Sequence, residues 1–353
     1  MNRGQPWKLG ERSVKYPILQ GGMGIGISLG GLAGAVAREG GVGIISAAQI
    51  GFREPDFDSN PLEANLRAME KEYTKARKTA PDGIIGFNIM MAMNHCEAYV
   101  KKAVEIGADL IVSGAGLPTE LPAWAKDSGN KTMLAPIVST EKAAKVILKY
   151  WWKKHHVVPE LLIIEGPQAG GHLGFSEAQL RELEQEDYRN EIRKILGVVK
   201  SYEEVSGCRI MTAVGGGIDT KEKAESVFEL GADAIQVATR FVTTEECDAD
   251  QRYKEAYLKA GKEDIVIVKS PVGMPGRAIL NPFMKRVIAG EKISHSCHGC
   301  LHGCQPQQIP YCITDALIHA VKGETDEGLL FCGAKAWKAT RIETVKEVIE
   351  SFF

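Results

Sequence analysis

The sequence predicts a closed (β/α)₈ TIM barrel, an α/β fold, carrying a smaller, mainly helical C-terminal domain. Three observations predict it. Short apolar runs alternate with amphipathic segments, eight such runs occur, and most are almost continuously apolar, as strands buried on both faces are. The runs are Pro17–Gln20, Val42–Ser46, Ile84–Asn88, Leu110–Ser113, Met133–Val138, Leu161–Glu165, Ile210–Val214 and Ala234–Ala238. Each is too short for a helix. A doubly wound open sheet is the rival arrangement for the same alternation.

The segments between the runs read as helices. Asn60–Pro81 is long and charged, an elaborated second crossover. Glu97–Ile106 sets Tyr99, Val100, Ala103, Val104 and Ile106 at helical spacing and stops at Gly107. Lys221–Leu230 does the same with Ala224, Val227, Phe228 and Leu230, and stops at Gly231. A short echo links them: Gly107-Ala108-Asp109-Leu110 returns as Gly231-Ala232-Asp233-Ala234, each time between a helix and a strand. After Phe241 the rhythm breaks. Glu245–Gly261 reads as a charged helix, Ser270–Pro282 as irregular, Asp315–Gly323 as amphipathic and Thr340–Phe353 as a last helix returning to the barrel. The expected division is a barrel over 1–241, a small helical and irregular domain over 242–335, and a terminal helix over 336–353.

Composition narrows the function. The chain has 353 residues, enough for a barrel and an appendage. Lys and Arg number 43 and Asp and Glu 45, a net charge of −2, which argues against a nucleic-acid partner. Hydrophobic residues at 44% and charged residues at 25% exclude disorder for most of the chain. No run of apolar residues is long enough to span a membrane, and Met1–Gly10 lacks the apolar stretch of a signal peptide. A cytoplasmic location is the expectation. The eight cysteines then read as thiols or metal ligands before disulfides.

Barrel active sites lie at the C-terminal ends of the strands. Here those ends are Gln20-Gly21-Gly22-Met23, Asn88, Ser113, Glu165-Gly166-Pro167-Gln168 with Ala169-Gly170-Gly171-His172, Gly215-Gly216-Gly217, and Gln236-Val237-Ala238-Thr239. Glycines and amides of this kind suit a large, flat, polar ligand bearing a phosphate. Loops after the seventh and eighth strands of barrels bind phosphate. Gly215–Gly217 lets backbone N–H groups approach an anion without a Cβ in the way, and Thr239 adds a hydroxyl. Three glycines can also serve a tight turn and nothing more. Asp219 and Thr220 are candidate caps for the next helix. His172 is the one histidine at a strand end, and it titrates in the right range to exchange a proton. His155 and His156 read as last-turn cations of a helix.

Gln20-Gly21-Gly22-Met23, Phe87-Asn88, Gln168-Ala169-Gly170-Gly171-His172-Leu173-Gly174, the Gly215–Gly217 turn and Gln236-Val237-Ala238-Thr239-Arg240-Phe241 together resemble the nitronate monooxygenase (2-nitropropane dioxygenase-like) family. Thr244-Glu245-Glu246-Cys247-Asp248 resembles that family's flavin-dependent enoyl-acyl-carrier-protein reductases. The resemblance covers about residues 14–285 and the final helix after Gly333. It implies a barrel that holds FMN non-covalently. It places Gly21, Gly22 and Met23 against the flavin ring and gives Asn88 and Gln168 to its polar atoms. The ribityl phosphate falls to Gly171, Gly216, Gly217, Ala238 and Thr239, and His172 stands beside the ring as catalytic base. Gln20, Ser113, Glu165, Gly170, Gly215 and Gln236 complete the expected lining. Pro167-Gln168 stands where many relatives carry an acidic residue before the Ala-Gly-Gly-His element, so the substrate stays open. Oxidation of alkyl nitronates is the first reading. The alternatives are an NAD(P)H-dependent enoyl-acyl-carrier-protein or quinone reductase, and a non-catalytic flavin-binding barrel. A small-molecule substrate is expected; a homodimer is compatible, and an acyl carrier protein enters only with the reductase.

Cys297, Cys300, Cys304 and Cys312 fall outside that pattern. Four thiolates this close can hold an iron–sulfur cluster or zinc, with His298 and His302 as alternative zinc ligands. Their spacing matches neither common ferredoxin template. Four reduced thiols in a compact loop, or disulfides, are the other readings.

Overall fold

The computed structural model describes residues 7–126, 132–183, 188–294 and 296–353. The signal-peptide expectation rests partly on residues 1–6, outside that range.

Eight parallel strands close into a barrel: β1 (Ile18–Gln20), β2 (Val42–Ser46), β3 (Ile84–Met90), β4 (Leu110–Gly114), β5 (Met133–Val138), β6 (Leu161–Glu165), β7 (Met211–Gly215) and β8 (Ala234–Val237). Closure runs through β8 onto β1, with Ile235 opposite Ile18 and Val237 opposite Gln20. The open-sheet alternative is thereby excluded. Alternate strand residues divide between two apolar clusters. Leu19, Val42, Ile44, Leu110, Val112, Leu161 and Ile163 fill one. Ile18, Ile45, Ile111, Leu162 and Ile164 join the helices in the other. This two-sided burial is why the strands read as continuous apolar runs.

Each strand is followed by a helix. In order these are Gly30–Arg38, Pro61–Thr79, Cys96–Glu105, Leu121–Trp124, Glu141–Tyr150, Arg189–Ser206, Lys221–Glu229 and Thr239–Val242. The last is a single turn, too short to cover its share of the barrel. The C-terminal helix Val345–Glu350 compensates: it packs on the first and last of these helices, burying Val345, Val348, Ile349 and Phe352. The Thr244–Asp248 segment ties these parts together. Asp248 accepts the N–H groups of Leu29 at 2.9 Å, Gly31 at 3.1 Å and Leu32 at 2.9 Å, capping from a distance a helix whose own N-cap, Leu29, has no side chain for the task. Glu246 accepts the Val345 N–H at 2.9 Å.

The repeated Gly-Ala-Asp is a structural clasp. Asp109 accepts the Ile85 N–H at 2.8 Å and pairs with Arg77 at 2.6 Å. Asp233 accepts the Thr212 N–H at 2.8 Å and pairs with Arg209 at 2.7 Å. Each aspartate stitches its strand to the preceding neighbour at the end of the barrel away from the strand C-termini.

Two features were not legible. A hairpin of Trp7–Leu9 and Arg12–Val14 adds Trp7, Leu9 and Val14 to the interior cluster of the barrel. Ser270–Pro282, expected to be irregular, contains the strand Pro275–Ile279. That strand pairs with Ile265–Lys269 on one side and Gly171–His172 on the other. The region after Phe241 therefore contributes antiparallel sheet as well as helix.

Gly43 on β2 shows how closely the first helix lies on the barrel: a Cβ there would stand 1.9 Å from the Ala33 carbonyl oxygen. Gly43→Ala is expected to destabilise the fold by about 1–3 kcal/mol through overpacking. Gly197→Ala, in an open position of the Arg189–Ser206 helix with nothing within 4 Å, is expected to be neutral or to stabilise by up to about 1 kcal/mol. Urea unfolding of the two variants checks the pair.

Candidate active site

The C-terminal ends of the strands surround one cavity. Gly21, Gly22, Met23, Asn88, Glu165, Gln168, Gly170, Gly171, His172, Gly216, Gly217, Gln236, Ala238 and Thr239 all line it. Gln20, Ser113 and Gly215 do not, and each has a structural reason. Gln20 is fully buried, accepts the Ile44 N–H at 3.1 Å and donates to the Gly21 carbonyl. Ser113 donates to the Ile89 carbonyl at 2.7 Å. Gly215 is a ladder residue between Glu165 and Gln236, one position short of the rim.

Several glycines are required by approach distance or backbone. A Cβ on Gly22 would lie 2.4 Å from Asn88 Cβ. Gly216 and Gly217 take φ values of 97° and 80°, in the left-handed region that favours glycine. A Cβ on Gly170 would meet the Cys332 carbonyl carbon at 2.6 Å, so the loop before His172 lies directly on residues 332–333. Thr220 caps the helix after β7, its hydroxyl accepting the Lys223 N–H at 3.4 Å. Asp219 does not share that task; it pairs with Lys223 and with Lys338.

His172 is held by groups far away in sequence. Its Nε2 lies 2.8 Å from Ser270 Oγ, and the Phe331 ring meets it edge-on at 5.0 Å. Arg277, 4% exposed, donates to the carbonyls of Pro167, at 2.9 Å, and Ala169. It thereby fixes the loop that delivers the histidine. Burial lowers the imidazole pKa to about 4, so His172 is neutral at pH 7. Glu165 responds oppositely: burial raises its carboxyl to about 7, with no other cause acting on it. The site thus holds a neutral imidazole and a carboxyl near half-protonation, the kind of perturbed pair that marks functional clefts.

Sequence reading missed Ser270, Arg277, Phe331 and Lys335. All four come from the segment after Phe241. Cys332 also lines the cavity, with its thiol pushed to about 12 by burial.

The cysteine-rich loop carries the four cysteines expected as metal ligands. Among the described residues no group of three or more His, Cys, Asp or Glu side chains stands ready to hold a metal ion, and Cys297, Cys300, Cys304 and Cys312 are free thiols. Cys312 is the buried N-cap residue of helix Ile313–Val321, Cys300 is hydrogen-bonded to Thr314, and His298 is bonded to Asp315. The loop docks on the barrel through the Asn94 N–H, 3.0 Å from the Cys300 carbonyl, and the His302 N–H, 3.0 Å from the Ala92 carbonyl.

Residues 6–353 match the family description Nitronate monooxygenase. The chain belongs to the nitronate monooxygenase family. A probable nitronate monooxygenase of Staphylococcus saprophyticus is 23% identical over 307 residues, 79% of each chain. Among solved structures, FabK from Thermotoga maritima superposes with a TM-score of 0.70 at 24% identity, covering 96% of this chain and 92% of that one. Nitroalkane oxidase from Streptomyces ansochromogenes gives 0.69 at 18% identity, covering 96% and 95%. At these identities the structural likenesses speak for the fold. Family membership makes the protein an oxidoreductase of flavin type acting on a small molecule. Among the described residues no helix is long and apolar enough to cross a membrane.

Proposed function

We propose that the protein is an FMN-dependent oxidoreductase that oxidises alkyl nitronates, with His172 as the base that admits the neutral nitroalkane as well. The observation that carries this reading is the single cavity joining His172 to the glycine rim of Gly216, Gly217 and Thr239.

The residues fit the cofactor. Side-chain-free approach at Gly21, Gly22, Gly216 and Gly217 suits a flat ring at one end and an anion at the other, and Glu165 offers a buried carboxyl with no protein partner among the described residues. Gly21, Gly22 and Met23 would flank the ring. Asn88, Gln168 and Gln236 would meet its polar edge. Gly216, Gly217, Ala238 and Thr239 would receive the phosphate. When bound, FMN supplies the redox chemistry, and the protein supplies orientation and proton handling.

The base role sets the tautomer. For His172 to act as base, the proton must sit on Nε2, which would donate to Ser270 Oγ across the 2.8 Å contact, and Nδ1 would take the new proton. A nitronate is already deprotonated and needs no base. A neutral nitroalkane must lose its α-proton, which would pass to Nδ1 of His172. The desolvation that keeps imidazolium costly is offset as it forms, because the nitronate generated beside it is an anion.

The test is anaerobic. Under argon, propyl-2-nitronate is expected to bleach the visible flavin absorbance of the purified protein, and NAD(P)H is not. Bleaching by NAD(P)H alone would replace this reading with the reductase. A colourless protein, or a flavin that neither donor reduces, would make the barrel a binding module.

A further inference from the structure

The phosphate end of the cavity is more cationic than backbone groups alone would make it. Lys335 lines the cavity with Gly216, Gly217 and Thr239. Its backbone is pinned there: the Gly333 N–H donates to Thr239 Oγ1 at 3.0 Å, and the Ala334 N–H to the Gln168 carbonyl at 3.1 Å. The neighbouring cations have partners. Lys223 Nζ donates to the Gly217 carbonyl at 3.0 Å and pairs with Asp219. Lys338 meets Asp219 at 2.6 Å, and Arg240 meets Glu343 at 3.0 Å. Among the described residues the Lys335 ammonium has neither an ion pair nor a hydrogen bond. Burial and then the field of Lys223 hold its pKa below the usual lysine range. Asp219 opposes this, and Lys338 and Lys262 add to it. A half-buried cation facing a cavity among other cations is a site for an anion.

We propose that Lys335 binds the phosphate of the cofactor directly and makes the site select FMN over riboflavin. This rests on the FMN reading above. A phosphate monoester satisfies the ammonium with charge-assisted hydrogen bonds and accepts the backbone N–H groups of the glycine rim at the same time. Riboflavin has the same ring and ribityl chain without that group, so it isolates the contribution of the phosphate.

Flavin-free protein is titrated with FMN and with riboflavin, following flavin fluorescence, for the wild type, Lys335→Met and Lys335→Arg. The wild type is expected to prefer FMN. Lys335→Met is expected to weaken FMN about 10- to 100-fold, the range of a hydrogen bond to a charged group, with riboflavin affinity unchanged. Lys335→Arg is expected to retain most of the preference, and added salt to weaken FMN more in the wild type than in Lys335→Met. Equal losses for both flavins, or an unchanged FMN affinity with normal unfolding behaviour, would overturn the proposal for Lys335 and leave the FMN reading standing. A wild type that binds neither flavin, or both equally well, would bring down the FMN reading and this inference with it.

Discussion

Replacing His172 with Ala is expected to slow turnover of a neutral nitroalkane by about 10²–10⁴, the usual contribution of a positioned general base, and to leave turnover of the preformed nitronate far less affected. The asymmetry follows from the chemistry: only the neutral substrate has an α-proton to lose. Flavin content serves as the structural readout, since a histidine that merely supported the loop would cost cofactor and both substrates together. The pH dependence carries a second check. A base must be unprotonated to act, and burial lowers this imidazole to about 4. Its limb in kcat/KM therefore lies near pH 4, with activity lost as the pH falls through that value; a break near neutrality belongs to Glu165, whose carboxyl is raised to about 7 in the same cavity. Equal losses on nitroalkane and nitronate would remove His172 from proton transfer. Ser270→Ala probes the orientation of the ring: loss of the 2.8 Å partner of Nε2 is expected to lower kcat on the nitroalkane more than on the nitronate.

The barrel was legible because its strands are buried on both faces, which turns each into a continuous apolar run that helices and surface strands do not imitate. The glycine rim was legible because approach distance and left-handed backbone leave few alternatives to glycine at positions such as Gly22 and Gly217. Strand ends gave position without phase. Gln20 and Ser113 sit at the right height, yet their side chains bond neighbouring strands, and no local pattern distinguishes that from pointing into the cavity. The groups that hold His172 were hidden for another reason. Ser270 and Arg277 lie in Ser-Pro-Val-Gly-Met-Pro-Gly-Arg, where the prolines and glycines signal a loop. The structure uses Ser270–Met274 as a hairpin turn and starts a strand on Pro275, a position where a missing N–H is tolerated. Its pairing to Gly171–His172 spans about a hundred residues, beyond any local periodicity. In the cysteine-rich loop, Cys312 stands at the N-terminus of helix Ile313–Val321 and His298 is bonded to Asp315.

Glu165→Gln is expected to stabilise the flavin-free protein at pH 8 by about 3 kcal/mol and to change it little at pH 4.5. The sign follows from linkage. The carboxyl titrates near its ordinary 4.5 in the unfolded chain and at about 7 in the folded one, so the folded state binds the proton more tightly. Between these values stability falls as the pH rises. Above pH 7 the full cost of a buried, unpaired carboxylate is present, and at about 1.36 kcal/mol per pH unit it reaches about 3 kcal/mol. The glutamine keeps the shape and the polar atoms without the charge, so it escapes that cost. His172 works the other way: its depressed pKa removes stability as the pH falls from 6.5 toward 4, in both proteins alike, and it cancels in the comparison. Urea unfolding at the two pH values reads the difference directly. A variant no more stable than the wild type at pH 8 would mean that the carboxylate finds compensation in the folded state. A variant that is more stable but binds FMN less tightly would give the carboxyl its reason to be there: a group that destabilises the empty barrel is kept for what it does when the cavity is filled.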